Sequence, residues 1–170
     1  MSTQVEHVIP IQGLGIGLHE FDFKLEPKFF AQFDDSLVNG EFDVHLVIDK
    51  QSTLLYMDLT FEGVEKTVCD RCLTEIDLPE KGEAMLVVKF DEDERVEGDI
   101  IFIHPGTPVF DVAPFMHEAI SVALPIVKRC EDTESCDAKI AAYLSPEGEE
   151  TKESAPENDI WSELKKLKPE

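Results

Sequence analysis

Positive charge is scarce in this chain of 170 residues, in which 15 Lys and Arg stand against 37 Asp and Glu, for a formal net charge of −22. Binding to the phosphates of RNA or DNA requires clustered Lys and Arg, and so does binding to an anionic lipid surface. The composition therefore argues against a free-standing nucleic-acid binder and against a membrane-surface protein. It favours solubility and attraction to basic partners.

Long apolar segments are also missing. The most apolar stretch, residues 109–127, contains Asp111, His117 and Glu118, so no transmembrane helix is expected. Residues 1–6 contain no Lys or Arg and no apolar segment follows them, so no signal peptide is expected. The four cysteines are too few for a disulfide-stapled scaffold, which makes reduced thiols or metal ligands the expectation and the cytoplasm the expected location.

The first two thirds of the chain has the pattern of short β-strands. Apolar and polar residues alternate through residues 41–49, which predicts a half-buried strand. Further strands are predicted at residues 8–11, 21–23, 53–62, 84–90 and 100–103, joined by short turns. Strands of this length and spacing predict an antiparallel sheet or a small barrel.

Helical signals follow the strands. Asp111 as a candidate N-cap, Pro114 in the first turn and Pro125 at the end delimit a helix of about three turns that packs on the sheet. Shorter helical segments are predicted at residues 28–33 and 138–144. The predicted fold class is α+β with one main packing helix.

The composition changes near the C-terminus. Residues 145–158 contain no large apolar residue and are predicted to be a disordered acidic linker. An amphipathic pattern returns in residues 159–168, as in a docking helix that binds a partner or folds back on the domain. The predicted organisation is a domain over residues 1–144, a linker over 145–158 and a short helix over 159–170. The residues predicted to contact a partner are Trp161, Leu164, Lys165, Lys166, Leu167 and Lys168.

The cysteines are the most specific chemical feature. Cys69 and Cys72 form a C-x-x-C unit, and Cys130 and Cys136 form a second, more widely spaced pair. Three interpretations remain open: all four hold one structural zinc or another structural metal, all four are unligated reduced thiols, or Cys69 and Cys72 are a redox pair. A thioredoxin-like redox pair stands between a strand and a helix, whereas strands are predicted on both sides here.

Signatures of catalysis are absent from the sequence. The glycines at positions 13, 15 and 17 are not followed by the Lys of a phosphate-binding loop, and His117-Glu118 lacks the second His of a zinc protease. No G-x-S-x-G elbow occurs. No catalytic residue and no enzymatic activity are therefore predicted.

Four stretches of the chain, taken in order, resemble one protein family. They are the opening pattern from Ile9 to Phe23, the centre Cys69-Asp70-Arg71-Cys72-Leu73, the block from Asp111 to Leu124-Pro125, and the closing segment at residues 159–167. The set is similar to the YceD family, described as large ribosomal RNA subunit accumulation proteins. The resemblance implies a role in accumulation or processing of the large-subunit RNA, and it supplies no reaction. The wide spacing of Cys130 and Cys136 departs from the family's tighter cysteine-rich stretch.

The resemblance and the charge together predict a mode of action. We expect a non-catalytic accessory factor of ribosome biogenesis that binds a basic ribosomal protein or a large-subunit precursor particle, because a net charge of −22 opposes direct contact with RNA. One alternative is an enzyme of RNA maturation that contains a structural zinc or a reactive thiol. The other is an acidic protein-binding module unrelated to ribosomes, since a fold does not determine a function.

Overall fold

The structure is a computed structural model that describes residues 7–33 and 38–144. The chain divides into two compact units, Met1–Glu131 and Asp132–Glu170. The predicted linker, the predicted C-terminal helix and its six candidate binding residues lie outside the described residues. No helix in the described part of the chain is long and apolar enough to cross a membrane.

The first unit contains a mixed set of strands and helices, and the second contains one described helix. The helices are α1 (Pro27–Phe30) and α2 (Ala113–Ala123) in the first unit and α3 (Thr133–Leu144) in the second. A 3-10 helix spans Ile11–Gly13. The strands, all in the first unit, are β1 (Val8–Ile9), β2 (Gly17–Leu25), β3 (Gly40–Lys50), β4 (Leu54–Val68), β5 (Glu75–Phe90), β6 (Arg95–Glu97), β7 (Ile100–Ile103) and β8 (Phe110–Asp111).

Six strands form the main sheet in the order β2-β3-β4-β5-β7-β6, and β1 pairs separately with β8. All neighbours are antiparallel except β5 and β7, which are parallel. The order is linear with β2 and β6 at its ends, so the sheet is open rather than a closed barrel. The predicted α+β class with a mainly antiparallel sheet is confirmed.

The core lies on one face of this sheet. Alternate residues of β3 point into it, including Phe42, Leu46 and Ile48, as period-two burial requires. Helix α2 packs against β5 and buries Met116 and Ile120 completely. The core therefore lies between this face and the helix that the sequence predicts as the main packing element.

Strand β4 extends further than the β-former-rich segment at residues 53–62 indicates. It continues through Gly63 as far as Val68. A Cβ at position 63 would collide with the Phe42 ring and with the carbonyl oxygen of Glu41. Glycine here allows the strand to pass close to Phe42, a known use of glycine inside a strand.

Strand β5 begins at Glu75, nine residues before the predicted start at residue 84, and contains Pro79. Even-numbered residues of β5 turn their backbone groups to β4, because the Phe90 N–H donates to Thr53 and the register is continuous. Pro79 therefore faces away from β4, and β7 pairs with β5 only from Val87 onward. The missing N–H of Pro79 costs no ladder hydrogen bond, which explains how proline is tolerated here.

Candidate functional site

The loop that joins β4 to β5 carries the C-x-x-C unit. The backbone N–H of Cys69 donates to the Thr74 carbonyl at 2.8 Å, and that of Leu73 donates to the Cys69 carbonyl at 2.9 Å. Cys69 and Cys72 are both buried. Leu73 has a φ of 56°, a left-handed conformation that residues other than Gly, Asn and Asp seldom adopt. The tight turn places the two cysteines at the tip of a hairpin with strands on both sides, as the sequence predicts.

A third cysteine is brought to this loop by the segment that follows α2. The N–H of Asp70 donates to the Lys128 carbonyl at 2.8 Å, and the N–H of Lys128 donates to Oδ2 of Asp70 at 2.7 Å. This double hydrogen bond places Cys130 Sγ 3.4 Å from Cys72 Sγ. The three sulfur atoms of Cys69, Cys72 and Cys130 all lie within 4.8 Å of one another.

Hydrogen bonds stabilise the ionised form of the first thiol. They lower the pKa of Cys69 to about 6, chiefly through the backbone N–H of Cys72, with smaller contributions from Arg71 and Cys130, while burial acts in the opposite direction. Amide donors around a sulfur favour its anion in the same way as around a carboxylate. The thiolate is the form that binds a metal ion.

The geometry of the three sulfurs suits a tetrahedral metal ion. Zinc binds cysteine sulfur at about 2.3 Å, which places two ligand sulfurs about 3.8 Å apart.

No disulfide joins the described cysteines. The loop lies between two antiparallel strands, so the helix that activates a thioredoxin-like redox pair does not follow Cys72 directly.

The fourth candidate ligand, Cys136, belongs to the second unit. It lies in the first turn of α3, where its N–H donates to the Asp132 carbonyl at 3.2 Å. The Asp132 carboxylate accepts a hydrogen bond from the N–H of Ser135 at 3.1 Å, so Asp132 caps this helix. Five residues separate Cys136 from Cys130 in the sequence.

A buried ion pair beside the candidate metal site is absent from the sequence-based prediction. Glu65 is completely buried, and its Oε1 accepts a hydrogen bond from the Lys128 ammonium. Its Oε2 has no hydrogen-bond partner among the described residues. The buried residues of β4 are odd-numbered, and extending this alternation past Gly63 places Glu65 on the core face. This pattern was the sequence signal that could have predicted its burial.

The opposite face of the sheet is acidic. Its exposed carboxylates on β2 to β5 are Glu20, Asp22, Glu41, Asp43, Asp58, Glu62, Glu75, Asp77 and Glu83, and its exposed lysines are Lys24, Lys66 and Lys81. We call this surface the acidic face. Two of the lysines lie beside its carboxylates, Lys24 at 3.7 Å from Asp43 and Lys66 at 4.0 Å from Glu41, so the excess negative charge is borne by the remaining carboxylates.

An open groove of about 800 Å³ crosses the acidic face. It is lined by two rows of residues that lie opposite one another on neighbouring strands. One row contains Asp22, His45 and Glu83, and the other contains Asp43 and Glu62. His45 Nδ1 and Asp22 Oδ1 are 2.8 Å apart. The groove is wide, shallow and charged, which suits a macromolecular partner better than a buried small ligand.

Comparison with known proteins identifies one matching family. The sequence profile of the family described as "Large ribosomal RNA subunit accumulation protein YceD" matches residues 57–168. The match includes all four cysteines and the closing segment, and it leaves the opening pattern from Ile9 to Phe23 outside. No curated protein and no solved structure matches the chain. Because the match covers well over half of the 170 residues, the chain belongs to the YceD family.

Proposed function

We propose that this protein supports accumulation of the large-subunit ribosomal RNA in the cytoplasm by binding, without catalysis, a basic ribosomal protein or a precursor particle that contains one. The family description ties its members to accumulation of that RNA. The observation that carries the mode of action is the acidic face, on which carboxylates outnumber lysines and line a groove across four strands. Such a surface attracts a basic partner and repels bare RNA.

The cysteines have a supporting role in this proposal. Cys69, Cys72, Cys130 and Cys136 hold one structural zinc ion, with Cys136 as the fourth ligand that closes a four-thiolate site. The sulfur separations in the first unit and the stabilised Cys69 thiolate support this assignment. A closed four-thiolate zinc has no open position for substrate, so the metal would stabilise the fold and perform no chemistry.

The C-terminal segment is a second proposed binding element. Its sequence contains the apolar residues Trp161, Leu164 and Leu167 and the basic residues Lys165, Lys166 and Lys168. An aromatic anchor with flanking charges is typical of a docking helix. Deletion of residues 159–170 separates its contribution from that of the acidic face.

Sedimentation of the tagged full chain from growing cells, followed by detection of precursor large-subunit RNA, tests the proposed function. We expect comigration with the precursor, and we expect it to be lost in the double variant Asp58→Lys, Glu62→Lys, which reverses charge on the acidic face. The matched control is Glu92→Lys, Glu94→Lys, which makes the same change in net charge at exposed positions between β5 and β6.

The outcomes separate the competing functions. Equal comigration of the two double variants contradicts binding through the acidic face. If the wild-type chain comigrates with no ribosomal particle and forms no complex with a purified basic ribosomal protein, the ribosomal function is wrong and an unrelated acidic binding module is favoured. An RNA-processing activity that is abolished by Cys72→Ser in a folded protein would favour the enzyme instead.

A further inference from the structure

Strand β2 is an open edge of the main sheet. It is nine residues long and pairs with β3 in a continuous antiparallel register from Gly17 opposite Lys50 to Leu25 opposite Phe42. No described residue pairs with its other side. An unpaired edge of this length presents a row of N–H and C=O groups that another chain can use.

The register identifies the backbone groups that point outward. In an antiparallel ladder, both backbone groups of a residue face the same neighbour, and successive residues alternate. The N–H of Gln51 donates to Leu54, and at the other end the N–H of Lys66 donates to Asn39. Gln51 and Asn39 are odd-numbered and lie at the two ends of β3, so both bonds show that odd-numbered residues of β3 point their backbone groups to β4. The even-numbered residues of β3 therefore face β2.

The pairing of β2 with β3 shows which residues of β2 point their backbone groups outward. Each even-numbered residue of β3 is opposite an odd-numbered residue of β2, such as Phe21 opposite Leu46. Odd-numbered residues of β2 therefore bond to β3. The backbone groups that remain for a new partner belong to Leu18, Glu20, Asp22 and Lys24.

The side chains along this edge indicate what could pair with it. Glu20 and Asp22 are exposed and belong to the acidic face. Phe21 and Phe23 point to the opposite face, where they pack against the core but stay half-buried. A strand added here would place alternate side chains beside two carboxylates and the others beside two incompletely covered phenylalanines.

We propose that an extended basic segment of the partner protein adds to the sheet as a strand along β2, with Lys or Arg side chains beside Glu20 and Asp22 and apolar side chains over Phe21 and Phe23. This inference rests on the proposed function, because it specifies how the basic partner is bound. Backbone hydrogen bonds supply affinity in strand addition, and alternate side chains supply specificity. Opposite charges paired across strands add to both.

Glu20→Pro in the full chain tests the backbone contribution. Proline removes the outward N–H of residue 20 and leaves the pairing with β3 intact. Glu20→Ala is the matched control, since it removes the same charge and keeps the N–H. The probe is a synthetic peptide of alternating Lys and Val that matches the nine residues of β2, and a second peptide carries methyl groups on alternate backbone nitrogens.

We expect the peptide to slow amide exchange at Leu18, Glu20, Asp22 and Lys24 and to bind Glu20→Pro about tenfold more weakly than Glu20→Ala, the effect of one unmade backbone hydrogen bond. The methylated peptide has the same charge, and we expect no binding. Equal affinity of the two variants, unchanged exchange at the four amides, or equal binding of the two peptides would each overturn strand addition. The two peptides are compared on the wild-type chain, so this result holds even if Glu20→Pro fails to fold.

Sedimentation distinguishes this inference from the proposed function. If Glu20→Pro comigrates with the large-subunit precursor as Glu20→Ala does, while Asp58→Lys, Glu62→Lys does not, the partner binds the acidic face without adding a strand. If the wild-type chain does not comigrate and binds no basic ribosomal protein, the proposed function fails. The strand-addition inference, which specifies how that partner is bound, then fails with it.

Discussion

The ammonium of Lys128 donates a hydrogen bond at 2.5 Å to the buried carboxylate of Glu65, a residue 63 positions earlier in the chain. The Glu65 side chain is 1% exposed and that of Lys128 is 20% exposed. The backbone of the same lysine bonds to Asp70 in the cysteine loop. One residue therefore joins β4, the C-x-x-C loop and the segment that carries Cys130.

Loss of Lys128 should destabilise the protein. In Lys128→Met the Glu65 carboxylate stays buried without its partner, and breaking a buried pair in this way costs about 3–5 kcal/mol. Urea unfolding of the purified chain measures the difference. The matched control is Lys66→Met. Lys66 is an exposed lysine that follows Glu65 on β4, and exposed ion pairs contribute only about 0–1 kcal/mol.

The double variant Glu65→Gln, Lys128→Met tests whether the two residues act as a pair. We expect it to lose less stability than the sum of the single variants, because no buried charge remains. Additive losses, or equal losses in Lys128→Met and Lys66→Met, would show that the pair does not stabilise the fold.

Zinc content tests the cysteine assignment. We expect one zinc per purified chain by native mass spectrometry, and its loss in Cys72→Ser and in Cys130→Ser, because each removes one of the clustered thiols. Thr74→Val is the control in the same loop: it replaces the hydroxyl 3.3 Å from Cys72 Sγ with a methyl group and should retain the metal. Metal-free chain and the two serine variants should melt at lower temperature than the loaded chain.

Cys136 is tested separately by cobalt substitution. The intensity of the thiolate-to-cobalt charge-transfer band follows the number of bound thiolates. A weaker band in Cys136→Ser than in the wild-type chain supports a four-thiolate site. An unchanged band removes Cys136 from the ligand set, and a chain that binds neither metal contradicts the whole assignment.

The left-handed conformation of Leu73 predicts an unusual response to substitution. The side chain is 74% exposed, so it has little packing to lose, and its φ of 56° is strained for any residue with a Cβ. Leu73→Gly should keep or raise the free energy of unfolding by up to about 1 kcal/mol, because relief of strain exceeds the added entropy of the unfolded chain.

Leu73→Val is expected to destabilise by about 1 kcal/mol, since a β-branched residue tolerates a positive φ poorly. Leu18→Val is its control, at a position of β2 that is 71% exposed and where a β-branched side chain is favoured. If Leu73→Val and Leu18→Val have equal stability, the loop does not impose the left-handed conformation in solution.

His117 predicts a pH dependence of stability. Its ring stacks on Phe33 with centroids 4.0 Å apart, and burial lowers its pKa below the usual 6.5. The folded state therefore binds fewer protons at this group than the unfolded state does. The resulting stabilisation is fully present above the unfolded pKa and is lost as the pH falls through the folded pKa.

We expect the wild-type chain to lose more stability between about pH 8 and about pH 5 than His117→Phe, which keeps a ring against Phe33 and cannot be protonated. Chemical unfolding at a series of pH values measures both curves. Parallel curves would mean that protonation of His117 makes no difference to folding.

Local patterns were sufficient for much of the fold. The alternation in β3 is visible in residues 41–49, and β7 occupies the four residues predicted at 100–103. Helix α2 has Val112 as its N-cap, one residue after the predicted cap Asp111, and it ends two residues before Pro125. The Asp111 carboxylate still accepts a hydrogen bond from the N–H of Ala113 at 2.9 Å, at the start of the helix. These features depend on side chains close together in sequence, so the sequence alone carries them.

Other features were less accessible because they depend on distant residues. The first half of β5 contains Pro79 and Gly82, both of which argue locally against a strand. Its pairing with β4 across the whole hairpin compensates for those preferences. The parallel pairing of β5 with β7 likewise depends on how the chain returns after β6, which no local pattern encodes.

The sequence by itself determined the α+β class, the acidic character, the YceD resemblance and the identity of the candidate metal ligands, because composition, period and motif spacing are local properties. Only the tertiary structure decided that the sheet is open and that its β2 edge presents the backbone of four known residues. It alone placed Cys130 beside the C-x-x-C loop through Lys128 and Asp70, and it alone buried Glu65. These are contacts between segments far apart in the chain, and their formation depends on packing of the whole unit rather than on the preference of any one segment.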